Sequence, residues 1–315
     1  MKKSFSLVII IFALTSICQI KAQKFTFFPL GDEFNYGLEM SSMDIVNDTL
    51  YALAEKCKTL YQFDINNLDS SKTNLPIQKN TLKIDKKLGV EAIAVFEDYL
   101  FYTNEVNGNS IAAIDLKNFK SIPFLELDKP LPKGNDHNSG LEGIDIIPDF
   151  KLLYVAQEKE SSGRYSKIAV YHIGSIRDSI DLNFFTDIKI QISDRQRLTA
   201  LSLSNDNKYL YILRSYYNGK SEATYSVDRL ELNQDGSFSS NTLSSSTLST
   251  INLTNDKSKF QSENLEGIAI SNNSIYLISD NAQSKVGLCN ETLNNGTKIL
   301  PTQFFKLDNY LFNFR

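Results

Sequence analysis

Five segments of the chain repeat one pattern, and a repeat that cannot bury both faces by itself must stack on its neighbours. They read SSMDIVNDTLYALAEK from Ser41, EAIAVFEDYLFYTNEV from Glu91, EGIDIIPDFKLLYVAQEKE from Glu142, TALSLSNDNKYLYILRS from Thr199 and EGIAISNNSIYLISDN from Glu266. Their starts lie 50, 51, 57 and 67 residues apart. Each segment holds a short strand, a turn and a second strand rich in Leu and Tyr. The turns Asn47-Asp48, Asn205-Asp206-Asn207 and Asn272-Asn273 carry residue types that accept the left-handed backbone of a tight hairpin.

A third strand follows in each unit: TLYQFDI from Thr59, SIAAIDL from Ser110, KIAVYHI from Lys167 and YSVDRLEL from Tyr225. A weaker fourth follows: TLKID from Thr81, IPFLEL from Ile122, DIKIQI from Asp187 and TLSTINL from Thr247. Four antiparallel strands recurring at this spacing predict the blades of an all-β propeller, which leaves few exposed sheet edges. The last unit has two strands, then TQFFKL from Thr302 as its third. The orphan strand KFTFFPL from Lys24 supplies the missing fourth, so the N-terminus closes the last of five blades. Six blades is the alternative, if Gln234–Asn264 conceals another strand set.

Composition narrows the function. The 315 residues carry 33 Lys and Arg against 37 Asp and Glu, a net charge of −4, so no basic excess exists to neutralise nucleic-acid phosphates. Three cysteines rule out a disulfide scaffold and two histidines rule out a His-rich zinc site. Lys2, Lys3 and the apolar run Leu7–Leu14 read as a cleaved signal peptide over residues 1–22, ending at Ile20-Lys21-Ala22. Residues 23–315 then form the propeller, secreted or periplasmic. Cys18 leaves a lipoprotein alternative, disfavoured by Ile17 before it. No run is long enough to span a bilayer, and a monomer is expected.

In a propeller the first strand of each blade lines the axis. The start of that strand and the end of the second share one rim, because antiparallel neighbours reverse direction. Those positions are Ser41, Glu91, Glu142, Thr199 and Glu266 on first strands, and Glu55, Glu105, Glu158, Ser215 and Asp280 on second strands. Seven of the ten are carboxylates. Like charges converging on an axis repel unless protons or cations compensate. Oxygen ligands suit hard dications, so Glu91, Glu142, Glu266, Asp280, Glu55 and Glu105 are candidate ligands for Ca²⁺, with Mg²⁺ as the alternative. The competing reading is turn chemistry copied by the repeat, with the acids pointing to solvent or capping backbone.

Other residues carry narrower expectations. His137, in the loop before Glu142, is a candidate general acid or base beside Glu142, or a surface residue. Glu158 faces the same mouth and is a candidate substrate contact. Arg214 breaks the acidic pattern; it either clamps an anionic group or serves as a structural counter-ion. Asp44 and Asp145, three residues past their strand starts, suit hydrogen bonds between blades. His172, inside a third strand, is structural. Cys57 and Cys289 follow the second strands of the first and last units, which neighbour each other in a closed ring, so an exported disulfide between them is plausible.

GLEGIDIIPDFKLLYVAQEKE from Gly140 and NLEGIAISNNSIYLISDNAQS from Asn264 resemble the phytase-like esterase domain of exported bacterial proteins, and TQFFKL resembles its final strand. The resemblance covers most of residues 24–310. It implies a propeller, export and a calcium-assisted hydrolase of phosphoesters or carboxylesters. It points to Glu142, Gly143, Glu266, Gly267 and Asp280, and to Asn281 as a substrate contact. The other units depart from Glu-Gly, with Ser41-Ser42, Glu91-Ala92 and Thr199-Ala200. Gluconolactonase-type propellers are a weaker likeness.

Two functions fit. One is a metal-dependent hydrolase of a small ester or phosphoester at the acidic mouth. The other is a non-catalytic propeller binding a glycan, peptide or cell-envelope protein there. No G-x-S-x-G, P-loop, H-E-x-x-H or paired C-x-x-C is present.

Overall fold

The computed structural model describes residues 25–28, 38–55, 57–71, 76–85, 88–104, 110–127, 131, 140–160, 163–193, 195–217, 223–240, 249–252, 264–280 and 302–308. After the opening strand β1 (Phe25–Phe28) come four sheets in chain order. Blade I is β2 (Met40–Val46), β3 (Thr49–Ala54), β4 (Thr59–Asp64) and β5 (Gln78–Thr81). Blade II is β6 (Ile93–Phe96), β7 (Tyr99–Asn104), β8 (Ser110–Asp115) and β9 (Lys120–Glu126). Blade III is β10 (Leu141–Ile147), β11 (Leu152–Gln157), β12 (Tyr165–Ile176) and β13 (Ile180–Gln191). Blade IV is β14 (Gln196–Leu203), β15 (Tyr209–Tyr217), β16 (Ala223–Glu231) and β17 (Ser249–Asn252).

Blade V is β18 (Asn264–Ser271), β19 (Ser274–Asp280) and β20 (Phe304–Asp308), and β1 pairs antiparallel with β20 as its outermost strand. The propeller therefore has five four-stranded blades, and the N-terminal strand completes the last. Residues 1–22 lie outside the described residues. Among the described residues no helix is long and apolar enough to cross a membrane.

Alternation builds the core. Successive residues of a strand point to opposite faces, and where both faces are covered, as in β7 and β11, the strand is buried almost throughout. In β11, Leu152, Tyr154 and Ala156 enter the core shared with blade IV, while Leu153 and Val155 enter the core shared with blade II. Five such cores fill the five seams between blades. The seam between blades V and I includes Phe28 of β1 against Phe304, so the closing strand is packed as well as paired. Tight hairpins at Asn47-Asp48 and Asn272-Asn273 use positive φ at both central residues, which Asn and Asp tolerate.

One strand differs from expectation. Blade I's outer strand is Gln78–Thr81, ending where TLKID was expected to begin. The reason is burial: Leu82 and Ile84 leave the sheet to fill the core between blades I and II, and Leu82 donates its N–H to the Lys58 carbonyl. The stretch 234–264 contributes β17 as the outer strand of blade IV.

The inner strands β2, β6, β10, β14 and β18 touch one another in cyclic order around the axis. Three seams share one hydrogen bond at equivalent positions. The residue three beyond a repeat start accepts the backbone N–H four beyond the next start. Asp44 accepts from Val95 at 2.7 Å, Asp145 from Leu203 at 2.6 Å and Ser202 from Ile270 at 3.2 Å. Each Asp also accepts the N–H of its own successor, Ile45 or Ile146. The two aspartates are therefore clasps between blades. Burial pushes both carboxyls up, and in Asp145 the charge of Asp44 across the ring adds to the rise.

The residue just after each repeat start is small: Ser42, Ala92, Gly143, Ala200 or Gly267. A Cβ on Gly143 would lie 2.8 Å from Leu201 Cγ and 3.0 Å from its backbone nitrogen on the next blade. One on Gly267 would collide with the Ile278 side chain and lie 3.3 Å from the Met43 nitrogen. Gly143→Ala should therefore cost about 1–3 kcal/mol in urea unfolding, as overpacking does. A loss below the measurement error would contradict so close an approach.

A second outcome concerns pH. Asp44 and Asp145 titrate near 3.8 when unfolded but at about 6 and about 8 when folded. The folded state thus holds extra protons across that window, so their contribution to stability falls as pH rises from about 4 to about 8. Urea unfolding between pH 5 and 8 should show a flatter slope in Asp145→Asn than in the wild type.

Candidate functional site at the axial mouth

A small cavity of about 110 Å³ opens at one end of the axis, lined by Glu91, Glu142, Glu158, Arg197, Thr199, Asn264 and Glu266. Local geometry delivers these side chains. In four blades the inner strand skips one residue of register at the repeat start: Ser41, Glu142, Thr199 and Glu266 have no partner on the second strand. Such bulges re-aim the extra side chain out of the pleat. In blade II, Glu91 takes the equivalent place ahead of β6, where Ala92 N–H donates to Thr103 Oγ1 at 3.0 Å. The small residue that follows lets the next inner strand close in behind the bulge, so the acid faces the mouth.

A second position reaches the rim. Two residues before each start, the chain lies opposite the end of the second strand. Glu55 N–H donates to the Glu39 carbonyl, Glu158 N–H to that of Gly140, and Ser215 and Asp280 pair with Arg197 and Asn264. Arg197 and Asn264 were not singled out from the sequence. The signal was present in the repeat frame itself, two residues upstream of Thr199 and Glu266.

Charge is concentrated here. Glu266 is held well above the ordinary carboxylate range by burial first, then by Asp280, Glu55 and Glu39, with Arg197 opposing. Asn264 Nδ2 donates to Glu266 Oε1. Arg197 Nη1 lies 3.2 Å from Glu158 Oε1; the Glu158 side chain is 7% exposed and that of Arg197 53%. The Glu158 carbonyl also accepts from Leu198 N–H and Ser166 Oγ, which fixes this corner of the mouth. Thr199 Oγ1 donates to the Leu213 carbonyl at 3.4 Å.

Of the residues expected at the site, Glu91, Glu142, Glu158 and Glu266 line the cavity together. Glu55 and Asp280 stand behind Glu266 as charged neighbours. Arg214 is elsewhere: it forms an ion pair with the fully buried Asp228, reaching diagonally from β15 to β16. His137, Glu105 and Asn281 lie outside the described residues. His172 is exposed and packs at a tilt against Phe185, with centroids 4.8 Å apart. Cys57 is disulfide-bonded, and Cys289 lies outside the described residues.

The cavity's anionic donors are carboxylate oxygens, the chemistry that Ca²⁺ and Mg²⁺ select. Among the described residues, no three acidic, His or Cys side chains converge closely enough to hold a metal as they stand. The donor set fits a hard dication in chemistry, and closing on one requires side-chain rotation.

These features define an acidic five-bladed propeller with its site on the axis. The chain belongs to the phytase-like family: the family profile, described as the esterase-like activity of phytase, matches residues 37–282. No curated protein matches the sequence. Among solved structures the chain is similar to glutaminyl cyclase of Myxococcus xanthus, with 13% identity, 89% of this chain and 93% of that chain covered, and a TM-score of 0.48. It is also similar to the β-propeller domain of Cps50 (Swd1) from Myceliophteria thermophila, with 12% identity, 85% and 82% coverage, and a TM-score of 0.41.

Removing a buried negative charge should stabilise the metal-free protein. Glu266→Gln in EDTA is expected to raise the Tm at pH 8 by about 2 °C or more and to change it little near pH 4, where the carboxyl is protonated folded or unfolded. A drop at pH 8 would mean that the carboxylate is favourably held.

Proposed function

We propose that the protein is an exported, divalent-cation-dependent hydrolase of small phosphoesters or carboxylesters, acting at the axial mouth. The observation that carries this reading is the convergence of four glutamates from three blades on one small cavity whose lining holds a single cation, Arg197. Membership of the phytase-like family supports the reaction class. The disulfide at Cys57 supports export, because such bonds persist in oxidising compartments.

Glu91, Glu142 and Glu266 would hold Ca²⁺, with Mg²⁺ as the alternative. Asp280 and Glu55 behind Glu266 deepen the negative field that draws the cation in. When bound, the cation would polarise the phosphoryl or carbonyl oxygen of the substrate and favour ionisation of water. A carboxylate oxygen of Glu142 accepts the proton of the attacking water and returns it to the leaving oxygen. Glu158 would pair with Arg197 and fix the wall between blades III and IV. The narrow cavity admits the scissile group of a substrate and leaves the rest outside.

A second reading rests on the cavity's lack of a nucleophile. Among the described residues its lining has no Ser, Cys or His, and its one hydroxyl, on Thr199, is engaged by backbone. A mouth of this kind suits a propeller that binds an envelope glycan, peptide or protein without turning it over.

Thermal unfolding separates these readings first. A cation that binds only the folded state raises stability by about 2.7 kcal/mol at 100 times its Kd. The Tm should rise with Ca²⁺ over EDTA and should not rise in Glu142→Gln/Glu266→Gln. Ester and phosphoester hydrolysis should appear under the same conditions and vanish in that variant. No shift with any dication would remove the hydrolase reading and leave the binding one.

A further inference from the structure

The mouth is not uniformly acidic around its rim. Blades II and III contribute Glu91, Glu142 and Glu158, all acceptors. Blades IV and V contribute Arg197, Thr199 and Asn264, which bring the lining's hydrogen-bond donors. Glu266 stands on the donor side, held by the Asn264 amide. The asymmetry comes from blade IV, the one repeat that starts with Thr rather than an acid or Ser and has a cation two residues upstream.

We infer that Arg197 is the specificity-determining residue that receives the anionic oxygen group of the substrate, on the blade IV side of the mouth. This rests on the hydrolase reading above for its chemistry, but not for its geometry. Arg197 lies in the inner strand β14, directly opposite Ser215, so its backbone is fixed by the sheet. The next residue, Leu198, donates its N–H to the Glu158 carbonyl, and the guanidinium reaches the carboxylate of the same residue. That contact is a single Nη1–Oε1 approach at 3.2 Å, using one corner of a planar group with five donors. The side chain is half exposed and lines the cavity, so it can turn further donors to a ligand there. A planar fork of this kind binds a phosphate or carboxylate through two parallel hydrogen bonds. The Glu158 carboxylate occupies the fork's nearest corner and so competes with an incoming anion. A dication held by the facing glutamates would lower the repulsion that the mouth presents to such a group.

The test uses inorganic phosphate as the binding probe, titrated calorimetrically into the full mature protein with Ca²⁺ present. A charge-assisted hydrogen-bond pair corresponds to a loss of about 10- to 100-fold in phosphate affinity in Arg197→Gln. Arg197→Lys should recover part of it, since the charge remains without the fork. Glu158→Gln should strengthen phosphate binding, because it removes the competing carboxylate; a purely structural pair would weaken it. Should Arg197→Gln fail to fold, the Lys and Glu158→Gln variants carry the test. In kinetics, KM for p-nitrophenyl phosphate should rise in Arg197→Gln while KM for the neutral p-nitrophenyl acetate stays unchanged. Arg197-dependent phosphate binding with neither ester turned over would sink the hydrolase reading and uphold the role of Arg197. Equal phosphate affinity in wild type and Arg197→Gln, absence of phosphate binding to the wild type, or equal losses on both esters would overturn it.

Discussion

The structure depends on how closely five inner strands approach one another around the axis. At that radius the backbone of one blade meets the next, so the residue after each repeat start must be small and the one three beyond it must suit the neighbouring N–H. Gly143 and Gly267 meet the first demand, with the adjacent strand's nitrogen 3.0 and 3.3 Å from where a Cβ would sit. Asp44, Asp145 and Ser202 meet the second. The remaining two seams, between blades II and III and between V and I, have Ala94 and Ala269 at that place. There Thr103 Oγ1 reaches across to the Leu141 carbonyl at 2.9 Å, and in the other seam Phe63 of blade I packs edge-on against Phe304 of blade V.

The site is a consequence of that crowding. A strand that cannot spread sideways accommodates its extra residue as a bulge, and in blades III, IV and V the bulge brings Glu142, Thr199 and Glu266 to the mouth, while Ser41 of blade I donates to the Val90 carbonyl. Where that residue is Glu the mouth becomes acidic, and burial together with neighbouring acids raises the carboxyl of Glu266. A proton or a bound cation would relieve that tension. Blade IV departs from the pattern twice, with Thr199 at the bulge and Arg197 two residues before it, and so gives the mouth a second pole. Folding and chemistry thereby share residues: the Glu158 carbonyl ties blades III and IV together while its carboxylate meets Arg197 in the cavity.

Much of this was legible in the repeat. The blade number, the closure by KFTFFPL and the convergence of Glu91, Glu142 and Glu266 follow from spacing, alternation and strand direction. The outer strand of blade I was misjudged because TLKID alternates like a strand, yet its Leu82 and Ile84 are apolar for a seam core rather than a sheet face. Arg214 drew attention because it adjoins Ser215, the second-strand end of blade IV, but it is one residue out of that frame and pairs with Asp228 of β16. Arg197 escaped notice because attention went to the repeat starts and second-strand ends, whereas the position two residues before a start, which pairs with the second-strand end, was not read off the repeat frame.

The central claim is that the mouth glutamates form a cation site. Anomalous scattering from crystals of the mature protein grown with Mn²⁺ as a Ca²⁺ substitute tests it most directly. The account predicts one strong peak among Glu91, Glu142 and Glu266, with oxygens from at least two of them as ligands. A well-ordered mouth with no peak, or a peak only at a surface site away from the axis, would contradict it.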